Sequence, residues 1–244
     1  MSGTIYKAAA GALLQQMRLD VLSNNLANVN TAGYKADKPV FRVPLENTRE
    51  STIAVGQTLS PFAPPLEHAV DFSAGSVQQT QNDLDVAIIG SGFFEVQTAE
   101  GPQYTRKGSF TINENGLLST ADGNPVLGEG GEIAIEGGRI EINANGEVFV
   151  DGTLADTLRV VDFQQPYDLR KTGDTLFMPA DENMQPQLAQ DFRITQGFLE
   201  SSNVDAIRTM TEIIETMRVF ESYQRIIRSA DETNAKLSEV GRSV

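Results

Sequence analysis

The chain has 244 residues, 40% of them hydrophobic, enough to bury a real core in one or two domains. Its 19 basic and 33 acidic residues give a formal charge of -14, which repels nucleic-acid backbones and anionic lipid surfaces and excludes nucleic acid as an expected partner. With no cysteine in the chain, disulfides, thiolate nucleophiles and cysteine metal sites are excluded as well.

The first residues, Met1 to Arg18, are alanine-rich but interrupted by Gln15, Gln16 and Arg18, and no Ala-x-Ala site follows. They do not read as a cleaved signal peptide. No apolar run approaches the roughly 20 residues that a bilayer crossing needs, so no direct membrane span is expected. Ile5, Ala12, Leu19 and Leu26 instead recur every seven residues, with Ala8, Leu22 and Val29 as a companion row interrupted by Gln15. That spacing predicts an amphipathic helix with an a/d seam. Asn28, Asn30 and Gly33 follow in a stretch whose residue types end helices and accept left-handed backbone. Whether those asparagines do more than stop a helix is open at this point.

Residues 37–83 hold Pro39, Pro44, Pro61, Pro64 and Pro65 without a sustained period, which predicts an extended, irregular arm. From Leu84 the pattern becomes β: Leu84 to Ile89, Phe93 to Thr98, Ser109 to Ile112, Leu117 to Thr120, Ile133 to Ile135, Ile140 to Ile142, Val148 to Val150 and Leu158 to Phe163. Asn115-Gly116, Gly137-Gly138 and Asn145-Gly146 fall between these runs, as tight antiparallel hairpins require. Residues 165–194 are expected to add one or two strands. Beyond them Ala206, Met210, Ile213, Met217, Phe220, Ile227 and Leu237 fall on steps built from three and four residues, with Gln224 and Asn234 as polar interruptions. This is a second helix, with Asn203 or Ser202 as its expected cap, Asp205 in its first turn and Gly241 at its end.

The expected fold is therefore α+β: helices at both ends and a mainly antiparallel β domain between them. The boundaries are 1–36, 37–83, 84–194 and 195–244. An isolated helix of ~25 residues is marginal in water, because packing of an amphipathic face supplies most helical stability. Burying six or seven large side chains per seam contributes on the order of 10 to 15 kcal/mol before ordering entropy is subtracted. The seams need partners, and they can pair with each other. Leu13, Leu14, Met17, Ile214 and Ile226 lie off the a/d rows and suggest a second face for helices of other subunits.

Catalytic readings fail on inventory or context. Gly90-Ser91-Gly92 precedes a strand, so it offers no helix N-terminus to a phosphate and reads as a turn. A single histidine, His68, cannot build a multi-histidine metal site. Asp83 and Asp85 flank Leu84 as the start of a strand rather than as a catalytic carboxylate pair. No catalytic, cofactor or metal residues are expected, and the chain reads as a non-enzyme.

Three blocks carry a resemblance. Asn24-Asn25-Leu26-Ala27-Asn28-Val29-Asn30-Thr31-Ala32-Gly33-Tyr34-Lys35 resembles the N-terminal signature of the flagellar axial proteins, the rod, hook and hook-associated family. Leu84 to Val96, continued by Tyr104-Thr105-Arg106-Lys107-Gly108-Ser109-Phe110, is similar to the opening of that family's β domain. Gly197-Phe198-Leu199-Glu200-Ser201-Ser202-Asn203-Val204-Asp205 resembles its lead into the C-terminal helix. Chain length and Asn124 to Ile133 look more like the proximal-rod type than the distal rod. Tyr34 departs from the pattern where phenylalanine is common, and Ala32 where threonine or proline often sits.

The resemblance implies a structural subunit of the flagellar basal-body rod, which crosses the periplasm and transmits torque from motor to hook. It implies uncleaved export through the flagellar type III apparatus, termini that fold on meeting neighbouring termini, and a coiled-coil-like inner layer inside the β domain. Partners would be copies of the chain and neighbouring rod proteins. The implied assembly residues are the two seams with Asn28, Asn30, Gly33, Tyr34 and Asn203. A distal-rod or hook-like subunit is the alternative, and a secreted β-domain hydrolase or carbohydrate-binding module is a further one.

Overall fold

The computed structural model describes residues 2–41, 66–173, 175–181 and 184–240. The chain divides into two compact units: Met1–Ala27, Asp37–Ala69 and Asp205–Val244 form the first, and Asn28–Ala36 with Val70–Val204 the second.

In the first unit, helix α1 (Ser2–Ala27) precedes strands β1 (Asp37–Phe41) and β2 (Leu66–Val70), which pair with each other; helix α2 (Ala206–Val240) closes it. Arg18 lies 3.9 Å from Glu212, and Gly11 sits beneath the Tyr223 ring, where an added Cβ would stand 2.5 Å from ring carbon Cζ. Moving forward along α1 thus means moving backward along α2: the helices pack antiparallel. The missing side chain at Gly11 is what admits the ring. A Gly11→Leu substitution should displace Tyr223 and cost about 1 to 3 kcal/mol, the usual range for overpacking. A far-UV circular dichroism melt checks this, and Gly11→Leu with Tyr223→Ala should recover part of the loss.

Asn25, at the end of α1, is buried; its side chain donates to the Asp37 carbonyl at 2.8 Å and accepts the Asp37 N–H at 2.8 Å. A single amide thus satisfies both backbone groups of the first residue of β1.

The second unit begins with β3 (Val77–Gln79), β4 (Val86–Gly90), β5 (Phe93–Thr98), β6 (Gly101–Thr105), β7 (Phe110–Ile112) and β8 (Leu118–Thr120). There follow β9 (Leu127–Gly128), β10 (Gly131–Glu132), β11 (Ile140–Ile142), β12 (Glu147–Val150), β13 (Thr153–Thr157) and β14 (Val160–Asp162). The last strands are β15 (Leu169–Gly173), β16 (Leu176–Pro179), β17 (Gln187–Leu188), β18 (Phe192–Gln196) and β19 (Phe198–Glu200). The largest sheet has the order β15-β16-β6-β5-β14-β17, with antiparallel neighbours throughout. Smaller antiparallel ladders join β11-β12-β13, β7-β8, β9-β10, β4-β18 and β3-β19.

Consecutive phenylalanines explain two cores. Phe93 and Phe94 point to opposite faces of β5, because side chains alternate along a strand. Phe94 enters a cluster with Val86, Phe110, Leu118, Val126 and Val148, while Phe93 enters another with Tyr104, Val161, Phe163 and Phe177. Phe72 and Tyr167 pack edge-on against Phe93 at 5.7 and 5.6 Å between ring centroids.

The α+β expectation is met by two terminal helices and a mainly antiparallel domain. Details differ from the sequence reading. The expected irregular arm contains β1, β2 and β3, while residues 42–65 lie outside the described ones. Ile133 to Ile135 forms only an isolated bridge, at Ala134 to Leu117; β6 and β13 were not anticipated in place, and residues 165–194, expected to add one or two strands, carry β15, β16, β17 and the start of β18. The cap of α2 is Asp205, whose Oδ1 accepts the Arg208 N–H at 3.1 Å; Asn203 and Ser202 do not hold that role. Position N3 of the helix is where a cap side chain finds its donor.

Tyr104 supplies a titration marker. Its burial, and secondly the Glu95 charge beside it, push the phenol up to about 12. Burial likewise raises Glu95, opposed by Arg159 at 2.9 Å. From about pH 10 the unfolded chain sheds the Tyr104 proton while the folded chain holds it. The folded state's advantage therefore falls as pH rises from about 10 to 12. Alkaline denaturation should show this fall, and Tyr104→Phe should flatten it.

Candidate functional site

One carboxylate holds two buried cations. Lys35 Nζ lies 2.7 Å from Glu200 Oε1 and donates also to the Ser73 carbonyl at 2.8 Å. Arg106 Nη1 reaches Glu200 Oε2 at 3.5 Å, and its Nη2 donates to the Gly90 carbonyl at 2.8 Å. The guanidinium also stands 5.3 Å from the centre of the Phe93 ring. Lys35, Arg106 and Glu200 are only 1%, 6% and 2% exposed. Burial lowers the Lys35 pKa and is opposed by Glu200; burial also lowers that of Arg106, again opposed first by Glu200.

Backbone groups complete the cluster. Gly75 N–H donates to Glu200 Oε1 at 2.9 Å, and Gly33 N–H donates to the Glu200 carbonyl at 2.7 Å. Gly33 has φ +69°, and a Cβ there would meet the backbone of Lys107 at 2.3 Å, so only glycine fits. Asn203 accepts the Ala36 N–H at 2.7 Å and donates to the Asp71 carbonyl at 2.7 Å. Tyr34 is buried, with Lys171 Nζ 4.0 Å from its ring centre.

A second feature lies on α2. Its covered stripe is Ala206, Thr209, Ile213, Thr216, Phe220 and Tyr223, on strict three- and four-residue steps. Thr209 and Thr216 are buried, and Thr216 Oγ1 donates to the Glu212 carbonyl at 2.6 Å. That back-bond satisfies the hydroxyl and lets a threonine occupy an apolar row. Ile207, Met210, Ile214 and Met217 form a neighbouring stripe that is 80%, 51%, 52% and 48% exposed.

Of the residues singled out from sequence, Ala12 and Leu22 are buried on α1, and Ile5, Leu19 and Leu26 are half-buried. Val29 lies beyond the helix, which stops at Ala27, in a turn where Thr31 N–H donates to the Asn28 carbonyl at 3.1 Å. Asn28 is half-buried there and Asn30 exposed. Gly33, Tyr34 and Asn203 join the ion cluster. Ile213, Phe220 and Ile227 are half-buried on α2; Met210 and Met217 stand one position off the covered row. Leu237 is on α2, its side chain outside the described ones. Lys35, Arg106 and Glu200 were not singled out, although each sits inside one of the three quoted blocks. Asp83 is exposed; Asp85 is buried, with Oδ1 accepting the Asn82 amide at 3.1 Å. Gly90-Ser91-Gly92 is the turn between β4 and β5. Among the described residues no cluster of His, Cys, Asp or Glu could hold a metal. No described helix is long and apolar enough to cross a membrane.

Comparison with known proteins places these blocks in one family. Residues 5–35 match the family described as Flagella basal body rod protein, 87–150 the Flagellar hook protein FlgE/F/G D1 domain, and 195–240 the Flagellar basal body rod FlgEFG protein C-terminal. Over 245 residues the chain is 32% identical to the flagellar basal-body rod protein FlgF of Caulobacter vibrioides, covering 98% of each. The chain belongs to the flagellar basal-body rod family. FlgG of Agrobacterium fabrum is 32% identical across 95% of this chain and 97% of its own length. FlgG of Bacillus subtilis is 32% identical across 99% and 100%. The chain is thus a rod protein of the FlgF or FlgG kind, a structural component of the flagellar basal body and not an enzyme. Lys35, Arg106 and Glu200 fall one in each of the three matched segments of this rod protein.

Proposed function

We propose that the chain polymerises through its terminal helices into the helical tube of the rod, which carries torque from motor to hook. The exposed stripe Ile207, Met210, Ile214 and Met217 carries this reading, since one face of α2 is covered within the chain and this one is not. A helix with two apolar stripes needs a second packing partner. A family whose members build a rod supplies one: the helices of neighbouring copies and of adjacent rod proteins. A contact that repeats between different surfaces, without closing, generates a tube.

In this reading α1 and α2 pair as a coiled coil in the inner layer, and residues 84–194 form the outer layer. Residues 1–36 and 195–244 are the assembly segments, and 37–83 the arm. Ile5, Ala12, Leu19, Leu22, Leu26, Ile213, Phe220 and Ile227 hold the helix pair; Met210 and Met217 face the neighbour. The flagellar type III apparatus exports the chain uncleaved. Chain length and the Asn124 to Ile133 stretch favour the proximal-rod FlgF type over the distal-rod FlgG type. Crosslinks from α1 or α2 to adjacent rod proteins separate the two. The overall reading is tested by locating a tagged chain in purified basal bodies. Labelling confined to the rod is expected, and absence of the chain from basal bodies would refute it.

A further inference from the structure

Three segments far apart in sequence bond mainly to one another around Glu200. Residues 33–36 reach 197–203 through Gly33 N–H to the Glu200 carbonyl, Asn203 N–H to the Tyr34 carbonyl and Ala36 N–H to Asn203 Oδ1. Residues 71–79 reach the same segment through Gly75 N–H to Glu200, Ser201 N–H to the Ser76 carbonyl, and the β3-β19 ladder from Val77 to Gln79. The first two segments meet through Asp71 N–H to the Ala36 carbonyl and Lys35 to the Ser73 carbonyl.

Apolar burial in this set is confined to Tyr34, which is buried, and Phe72, whose ring packs against Phe93. Strand β3 is exposed along its whole length, and Phe198 and Leu199 are only half-buried. The six-stranded sheet, in contrast, is assembled entirely from residues 93–188 over the core of Phe93, Tyr104, Val161, Phe163 and Phe177. Free energies of local opening follow buried apolar contact, so a region held by polar bonds belongs to the weaker end of the range. Its stability turns on one carboxylate that offsets the desolvation of two cations.

We propose that residues 33–36, 71–79 and 197–203 form a separate cooperative lock, closed by Glu200, that opens without unfolding the six-stranded sheet. The lock lies wholly in the second unit. The chain enters or leaves that unit at Asn28, Ala36, Val70 and Val204, the last three next to lock segments. Because the lock is defined by bonds inside one chain, it does not rest on the assembly reading.

Hydrogen exchange on the full chain tests it. In Glu200→Gln, the amides of Gly33, Ala36, Asp71, Gly75 and Ser201 should exchange faster as a group, by about 100-fold, the lower end of what removing one partner of a buried charge pair costs. The amides of Phe94, Val96 and Tyr104 should keep their protection. Should Glu200→Gln fail to fold, Lys35→Met serves instead, since it leaves Glu200 paired with Arg106; the same group should then accelerate together, by less. Equal acceleration through β5 and β6 would overturn the proposal. So would acceleration confined to residues 197–203, with 33–36 and 71–79 unmoved.

Discussion

Ile214→Asp is expected to abolish polymerisation while leaving the melting temperature of the unassembled chain within about 2 °C of the parent, because surface changes away from packed features cost within about 0.5 kcal/mol. Ile214 sits in the middle of the exposed stripe, 52% exposed, with Met210 before it and Met217 after it. A carboxylate there stays hydrated in the free chain. In an assembled contact it must be buried without a partner, and the loss at a central interface position is about 2 kcal/mol or more. Each 1.4 kcal/mol is tenfold in affinity, and the contact recurs at every subunit, so the critical concentration should rise more than tenfold. Ile213→Asp and Phe220→Asp are less discriminating variants. Both residues lie on the covered row of α2, so they should disturb the chain's own helix packing as well as assembly. Sedimentation of each variant beside its thermal melt separates the two effects. An Ile214→Asp chain that polymerises like its parent would remove the stripe from the interface.

Phe94→Ala is expected to lower the stability of the second unit by about 3 to 5 kcal/mol, the range for truncating a buried phenylalanine. Phe94 is fully buried and meets Phe110 edge-on, with centroids 5.1 Å apart and planes at 80°. It lies on β5, which carries both β6 and β14 in the six-stranded sheet. A cavity there removes packing from the cluster that includes Val86, Leu118 and Val126. At about 2 to 4 °C per kcal/mol for a domain of this size, the melting temperature should fall by roughly 10 °C. Amide exchange should quicken across the whole unit rather than in the lock segments alone. That pattern is the counterpart of Glu200→Gln, and the pair of variants distinguishes global from local opening. A Phe94→Ala chain with an unchanged melt would mean that the core closes around the gap.

Much of this architecture was legible as periodicity. The helices announce themselves through repeats sustained over 26 and 35 residues, longer than chance readily supplies. Strands such as Ile140–Ile142 and Phe93–Thr98 appear where expected, because alternating or β-branched runs lie between glycine turns. What escaped was decided by partners distant in sequence. Strand β3 is three residues of Val-Gln-Gln, with no pattern of its own, and exists because β19 bonds to it across more than a hundred residues. Strand β6 opens Gly-Pro, a turn signal that pairing with β5 overrides.

The second row of α2 was misplaced by one position for a chemical reason. Met210 and Met217 are the larger apolar residues, yet Thr209 and Thr216 take the covered places, the Thr216 hydroxyl returned to its own helix. The ion cluster was the least visible feature. Lys35, Arg106 and Glu200 are surface residue types by composition, and only their convergence from three segments buries them. The usable signal was a charged residue inside each of the three blocks that carry the family resemblance.

The most direct test of the assembly account uses the fact that the chain contains no cysteine. Ile214→Cys places a single thiol on the exposed stripe of α2, and a thiol-specific maleimide reagent can then be applied to intact basal bodies. The account predicts that the thiol escapes the reagent in the intact rod and reacts only once the rod is dissociated. A thiol that labels freely in the intact rod would contradict it.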